Sequence, residues 1–142
     1  MPSSNTEIVR GLYDAFMRGD LDTVLDGVSP ETTWSLVGRQ EDVPFAGLRK
    51  GKTGVAEYFR VMADTVDINA FQPREFLAAE DKVFAWGDWQ WTMRRNGVGG
   101  KDEWLNVFTL KDGKVISWRS HTDTAHLAAA WHAPKAAKRA AN

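Results

Sequence analysis

Hydrophobic and polar residues alternate most clearly between Val83 and Met93. From residue 88 onward each polar side chain is followed by a large apolar one, in the order Asp88, Trp89, Gln90, Trp91, Thr92 and Met93. A period of two is typical of a β-strand with two chemically different faces. One face can bury two indoles and a thioether, while the other carries a carboxylate and an amide. Whether the polar face meets water or lines a cavity decides if this strand contributes to a site.

The first half of the chain has helical periodicity instead. Apolar residues at helical spacing predict helices over Asn5–Arg18, Leu21–Val28 and Lys52–Val66. Asn5 or Thr6 can cap the first of them. Between the second and third helices, Thr32–Val37 is rich in strand-forming residues, and the glycine-containing stretch Gly38–Gly51 is typical of a loop.

The second half changes to strand patterns. Four runs predict strands over Phe71–Ala79, Val83–Arg94, Glu103–Leu110 and Val115–Thr122. Asn-Gly and Asp-Gly turns between them favour hairpins, and therefore an antiparallel meander. A short helix over His126–His132 and a fraying tail, Ala133–Asn142, are expected to follow. This order predicts one α+β domain over residues 1–132, with three N-terminal helices packed on a strongly curved antiparallel sheet.

Composition narrows the possible partners and chemistry. The 142 residues carry a net charge of −1, which disfavours nucleic acid as a partner. There is no cysteine, so disulfides and thiolate chemistry are excluded, and the three histidines lack metal-site spacing. We therefore expect no metal and no cofactor. The polar N-terminus and the short apolar runs predict a cytoplasmic protein with no membrane partner. Seven tryptophans suit a small core, a subunit interface or an apolar pocket.

Several short motifs appear in an order that resembles the nuclear-transport-factor-2-like superfamily. They include Phe16-Met17-Arg18-Gly19-Asp20, Val43-Pro44-Phe45-Ala46-Gly47, Asp81-Lys82-Val83 and Asp112-Gly113-Lys114-Val115. The resemblance runs from about Glu7 to Leu127 and is closest to the polyketide-cyclase-like (SnoaL-like) branch, which is related to ketosteroid isomerase. It implies a cone-shaped sheet around a pocket closed by helices. It also implies a homodimer through the outer sheet face, to which Trp89 and Trp91 would contribute.

The same resemblance implies which residues face the pocket. Asp88 would be the catalytic acid or base among indoles, with Gln90 and Asn106 positioning the ligand or stabilising charge. His121 is expected outside with Arg119 and Asp123, and becomes a catalytic candidate only if the strand register slips by one residue. Leu12, Phe16, Phe59 and the inner edge residues Thr92 and Thr122 would contribute to the lining. The ligand-binding side chains would be Trp34, Leu36, Tyr58, Trp86, Trp104, Phe108, Trp118 and Ser120.

Three functional hypotheses follow. The first is a cofactor-independent acid–base enzyme, such as an isomerase, cyclase or hydratase/hydrolase, acting on a small apolar organic molecule. The ketosteroid isomerase arrangement is not matched, because its base position falls on Leu36 and its acid position on Asn106, while Tyr13 is expected to face elsewhere. The alternatives are a non-catalytic carrier with the same pocket and an association module, because the superfold hosts enzymes and non-enzymes alike.

Overall fold

A computed structural model describes residues 4–136 of the chain. The helices are α1 (Asn5–Met17), α2 (Leu21–Asp26), α3 (Gly51–Thr65) and α4 (Thr124–His132). The strands are β1 (Val28–Leu36), β2 (Gly47–Lys50), β3 (Val66–Ala79), β4 (Lys82–Met93), β5 (Gly99–Lys111) and β6 (Lys114–Thr122). The α+β class and the three N-terminal helices are as the sequence predicts.

All six strands form one sheet in the order β2-β1-β6-β5-β4-β3. The predicted antiparallel meander from β3 to β6 is confirmed. The sheet as a whole is mixed, because β1 pairs with β6 in parallel, with Trp34 opposite Trp118 and Leu36 opposite Ser120. Side chains of α1 and α3 pack on the inner face of this sheet, so the core of the cone-shaped fold lies between the helices and that face.

Short polar side chains fix where the helices begin. Ser4, rather than Asn5 or Thr6, caps α1 by accepting from the Glu7 N–H at 3.2 Å. Asp20 caps α2 in the same way. Asp123, expected on the outer sheet face, caps α4 by accepting from the His126 N–H at 2.9 Å. Each cap satisfies a backbone donor that the first helical turn cannot pair.

Three strands begin at least four residues earlier than predicted, among them β5 at Gly99 rather than Glu103, and a further strand was missed. β1 begins at Val28 and passes through Pro30, which is tolerated because the register between β1 and β6 shifts in that stretch. β3 follows directly from α3 at Val66 instead of beginning at Phe71. The four-residue strand β2 lies inside the stretch predicted as loop and pairs with the end of β1.

Asn96, at the turn between β4 and β5, holds the chain that follows α4. Its buried Nδ2 donates to the carbonyl oxygens of Ala130 and Ala133, at 2.7 and 3.0 Å. The Ala136 N–H donates back to the Asn96 carbonyl at 2.7 Å. The first residues of the predicted fraying tail thus make ordered contacts, and its remainder, 137–142, lies outside the described residues. Within residues 4–136, no helix is long and apolar enough to cross a membrane.

Candidate functional site

A cavity of about 80 Å³ lies between the inner sheet face and helices α1 to α3. Its walls are almost entirely aromatic and aliphatic, with a few hydroxyl and amide groups. The lining side chains belong to Leu12, Tyr13, Phe16, Val24, Trp34, Leu36, Phe45, Tyr58, Phe59, Met62, Ile68, Phe71, Trp89, Trp104, Asn106, Phe108, Trp118, Ser120 and Thr122. This composition is typical of a site for a small organic molecule.

Strand β4 presents its apolar residues to the interior, opposite to the expected orientation. Trp89 and Trp91 are buried, and Trp89 lines the cavity. The predictions that Trp86, Asp88, Gln90 and Thr92 face the cavity, and that Trp89 and Trp91 face a second subunit, are therefore wrong. The register inferred from the resemblance was displaced by one residue, which exchanges the two faces of a strand. Burial of two indoles favours the observed face, because apolar area is the dominant stabilising contribution.

The inner face of β4 carries two small residues, Ala85 and Gly87. These small residues lie opposite Asn106 and Trp104 of β5. A Cβ atom on Gly87 would lie 2.7 Å from Cζ2 of Trp104 and would also overlap the Gln72 carbonyl oxygen. The absence of a side chain at Gly87 therefore leaves the space in which the Trp104 indole forms one wall of the cavity. A glycine within a strand pattern is a sign of such a close approach.

Asp88, Gln90 and His121 lie outside the cavity. The Asp88 carboxylate, with its side chain 19% exposed, forms an ion pair with Arg74 at the bulge of β3. Gln90 is exposed, and His121 accepts a hydrogen bond from Nε of Arg119 at 3.3 Å. Arg119 and His121 thus lie on the outer face, as expected. The catalytic roles predicted for Asp88 and Gln90 depended on an inward orientation that the geometry does not support.

Asn106 is the one predicted catalytic residue that the fold places in the cavity. Its Nδ2 donates to the Tyr13 hydroxyl oxygen at 2.8 Å, and both side chains are buried. The expectation that Tyr13 faces elsewhere is therefore wrong. Burial raises the pKa of Tyr13 well above its ordinary value of 10, although the Asn106 hydrogen bond opposes that effect. Tyr13 is a neutral hydroxyl group at physiological pH.

Two aromatic stacks form part of the cavity wall. Trp34 and Trp118 stack with their ring centroids 4.4 Å apart and their planes 19° apart. In the second stack, Phe71 lies against Trp104 with the ring centroids 4.9 Å apart, and Tyr13 stacks on the same indole at 5.3 Å. Flat, rigid walls of this kind suit a planar ligand.

Most of the predicted ligand-binding side chains do meet in the cavity. Seven of the eight do so, and the exception is Trp86, on the outer face; the seven are Trp34, Leu36, Tyr58, Trp104, Phe108, Trp118 and Ser120. Helical residues Leu12, Phe16 and Phe59, and Thr122 of β6, also line it as expected. Sequence reasoning missed seven others: Tyr13, Val24, Phe45, Met62, Ile68, Phe71 and Trp89. The apolar alternation of β4 was the signal that could have found Trp89.

A family model described as a SnoaL-like domain matches residues 9–118. The chain belongs to the SnoaL-like domain family. Solved structures agree on the fold of this SnoaL-like protein. An NTF2-like protein from Burkholderia thailandensis is 23% identical, with a TM-score of 0.85, covering 93% of this chain and all (100%) of the other. One from Burkholderia xenovorans is 27% identical, with a TM-score of 0.81, covering 90% and 95%. No curated protein matches the chain.

In this SnoaL-like protein a groove of about 490 Å³ adjoins the cavity. Phe16, Phe59, Met62 and Ile68 line both spaces and so form the wall between them. The Phe16 and Phe59 rings lie 5.6 Å apart in this wall. Asp67 and Arg94 contribute to the groove but not to the cavity. The groove therefore carries two charged side chains that the cavity lacks, although most of its lining residues are apolar.

Proposed function

We propose that this SnoaL-like protein reversibly binds a small planar aromatic molecule in its cavity. The observation that carries the proposal is the hydrogen-bonded pair of Tyr13 and Asn106 in an otherwise apolar, indole-rich wall. Apolar walls supply affinity, and a few fixed polar groups supply orientation. Trp34, Trp104 and Trp118 provide the flat surfaces against which such a ring would pack.

The ionisable groups of the cavity favour binding over acid–base turnover. Among the lining residues within 4–136, the only titratable side chains are Tyr13 and Tyr58. Burial raises the pKa of both above the ordinary value of 10. Efficient general acid–base catalysis needs a group that titrates near the working pH. The lining therefore supplies hydrogen bonds and apolar contact more readily than proton transfer.

The cavity volume limits the size of the ligand. An apolar cavity of about 150 Å³ holds benzene in another protein, whereas this one measures about 80 Å³. A single aromatic ring would therefore enter only if part of the wall moves. Met62 has the unbranched, flexible side chain that adapts most easily, and it lies between the cavity and the outer groove. We propose that ligands enter through this wall.

The test is an NMR titration of the indole N–H signals with toluene. Trp34, Trp89, Trp104 and Trp118 line the cavity, whereas Trp86 lies on the outer sheet face. We expect saturable shifts of the four cavity signals and a constant Trp86 signal. The variant Asp88→Asn is expected to bind toluene as the wild type does. Absence of saturable shifts in the four signals, or shifts confined to Trp86, would contradict the proposal.

A second candidate is cofactor-independent isomerisation, which the Tyr13–Asn106 pair favours. Hydrogen-bond donors held in an apolar site can stabilise the oxyanion of an enolate, and solvent would have to accept the proton. The test is deuterium exchange at the α-carbon of acetophenone, followed by NMR. Acceleration in the wild type that Tyr13→Phe removes would support turnover. Exchange no faster than in buffer would contradict isomerisation and would leave the proposed binding function unaffected.

We also propose that two copies associate through the outer sheet face. Phe84, Trp86 and Leu105 are neighbours there, since Trp86 lies opposite Leu105 and Phe84 opposite both Leu77 and Val107. Leu77 and Leu105 are 59% and 39% exposed. Exposed apolar side chains clustered in this way are typical of an association surface. This cluster replaces Trp89 and Trp91 as the proposed dimer contact.

A further inference from the structure

An asparagine followed by a glycine, Asn96-Gly97, forms part of the turn between β4 and β5. This dipeptide is the one most prone to deamidation, because glycine has no side chain to hinder the approach of its nitrogen to the asparagine amide. Asparagine side chains mostly lie at the protein surface. Asn96 is instead only 4% exposed. A chemically reactive pair is thus held in a buried turn.

Both groups that would react are engaged by other partners. The Gly97 N–H donates to the Met93 carbonyl oxygen at 2.8 Å. The Asn96 side chain donates through Nδ2 to two carbonyl oxygens at the end of α4, and its Oδ1 accepts from the Val98 N–H at 3.1 Å. Attack by the Gly97 nitrogen on Cγ of Asn96 would have to break these hydrogen bonds. The folded turn therefore opposes the reaction.

The end of α4 is the part of the fold that holds the amide in place. Nδ2 of Asn96 donates to Ala130 and Ala133 at 2.7 and 3.0 Å, and so pairs carbonyl groups at a helix end, where intrahelical donors run out. The Arg95 guanidinium lies 4.3 Å from the centroid of the Trp131 ring, which adds a second contact between the turn and the helix. The Asn96 amide is therefore freed only when this end of α4 separates from the turn.

We propose that Asn96 is a deamidation site that the docked end of α4 protects, and that its reaction releases this end of the helix. In the reaction the Gly97 nitrogen forms a bond to Cγ of Asn96. The Cγ–Nδ2 bond breaks, and Nδ2 leaves as ammonia with the proton that the Gly97 nitrogen has lost. Water then opens the five-membered imide at either carbonyl and gives aspartate or isoaspartate. One water is consumed and one ammonia is released, with no oxidant or reductant.

Neither product can keep the contacts of the amide. A carboxylate has no proton to donate, so in the aspartate product an oxygen would face the carbonyl oxygens of Ala130 and Ala133 where Nδ2 now donates. Burial of a charge among acceptors is unfavourable. Isoaspartate in addition lengthens the backbone of the turn by one carbon atom. We therefore expect either product to leave the end of α4 unattached.

The first experiment follows deamidation of Asn96 by peptide mass spectrometry, with the folded protein kept in mildly alkaline buffer. The reference is a synthetic peptide of residues 91–101, which lacks the contacts with α4. We expect the folded protein to react at least about tenfold more slowly than the peptide, because only transiently opened molecules react. Trp131→Ala, which removes the ring that Arg95 contacts, should speed the reaction several-fold. The control Leu48→Ala, at a 60% exposed position on β2, should not.

The second experiment measures amide hydrogen exchange in Asn96→Asp, which carries the aspartate product. Exchange at Leu127 and its neighbours in α4 should accelerate by about tenfold or more, while the α1 amides stay as protected as in the wild type and show that the fold persists. Wild-type protein aged until Asn96 has reacted gives the same measurement for the isoaspartate product, and also serves if Asn96→Asp does not fold.

Three results would overturn the proposal. Folded protein that deamidates as fast as the peptide would show that the turn gives no protection. A Trp131→Ala variant that reacts at the wild-type rate would show that the end of α4 does not control the reaction. Wild-type exchange rates in α4 of the reacted protein would show that deamidation does not release the helix.

Discussion

Gly87→Ala tests the inward register of β4 most directly. The added methyl group would lie 2.7 Å from the Trp104 ring and would overlap the backbone carbonyl of Gln72 on the neighbouring strand. Overpacking a core costs about 1–3 kcal/mol, and a clash with backbone in a paired strand belongs at the upper end. We expect a loss of about 3 kcal/mol, which lowers the melting temperature by roughly 10 °C for a chain of this size.

Gly11→Ala is the matched control, because it makes the same chemical change in the opposite environment. Gly11 lies within α1, and a Cβ atom there meets no heavy atom within 4 Å. Alanine in a helix interior is favoured over glycine by about 0.5–1 kcal/mol. We expect its melting temperature to rise while that of Gly87→Ala falls, as measured by circular dichroism. A Gly87→Ala variant that melts within 2 °C (roughly 0.5 kcal/mol) of the wild type would refute the register.

Three further measurements probe other parts of the structure. Both tyrosines of the chain are buried with raised pKa values, so tyrosinate absorbance should stay absent through pH 10 in the folded protein. Above pH 10 the free energy of unfolding should fall by about 1.4 kcal/mol per tyrosine for each pH unit. Tyrosinate that appears near pH 10 without unfolding would contradict this. The Asp102 side chain is 8% exposed, accepts a hydrogen bond from the Trp91 indole at 2.9 Å and contacts the His126 imidazole at 2.9 Å. Asp102→Asn should therefore lower the free energy of unfolding in urea by about 1–3 kcal/mol. The control Asp64→Asn, at an exposed position, should lower it by less than about 0.5 kcal/mol. Leu105→Lys should shift light scattering from dimer to monomer, and Met17→Lys, on α1, should not; a persistent dimer would place the interface elsewhere.

The element types were readable from the sequence because their periodicity was strong. The meander hairpins followed from Asp112-Gly113 and Asn96-Gly97, where Gly113 and Gly97 have φ values of 78° and 74° that favour glycine. β2 escaped prediction because a four-residue strand has too few alternations to show a period. Its pairing with β1 is a tertiary contact that no local pattern encodes.

The site was readable only in part, and the limit was register. Trp34, Asn106 and Trp118 were assigned to the correct face from family order. On β4 the predicted register was displaced by one residue, although apolar burial alone favours an inward Trp89 over an inward Asp88. Tyr13 was missed for another reason, since its partner Asn106 is 93 residues away and no local spacing brings the two together.

The cavity can form only after β6 has paired in parallel with β1. Trp34 and Trp118, the stacked indoles of one wall, lie far apart in the sequence and meet only when β6 pairs with β1. Contacts between residues so distant in sequence slow folding, because a long loop must close before they form. A nascent chain therefore leaves the Trp34 indole without its partner until β6 has been synthesised, and a truncation that removes β6 would leave the cavity without one of its walls.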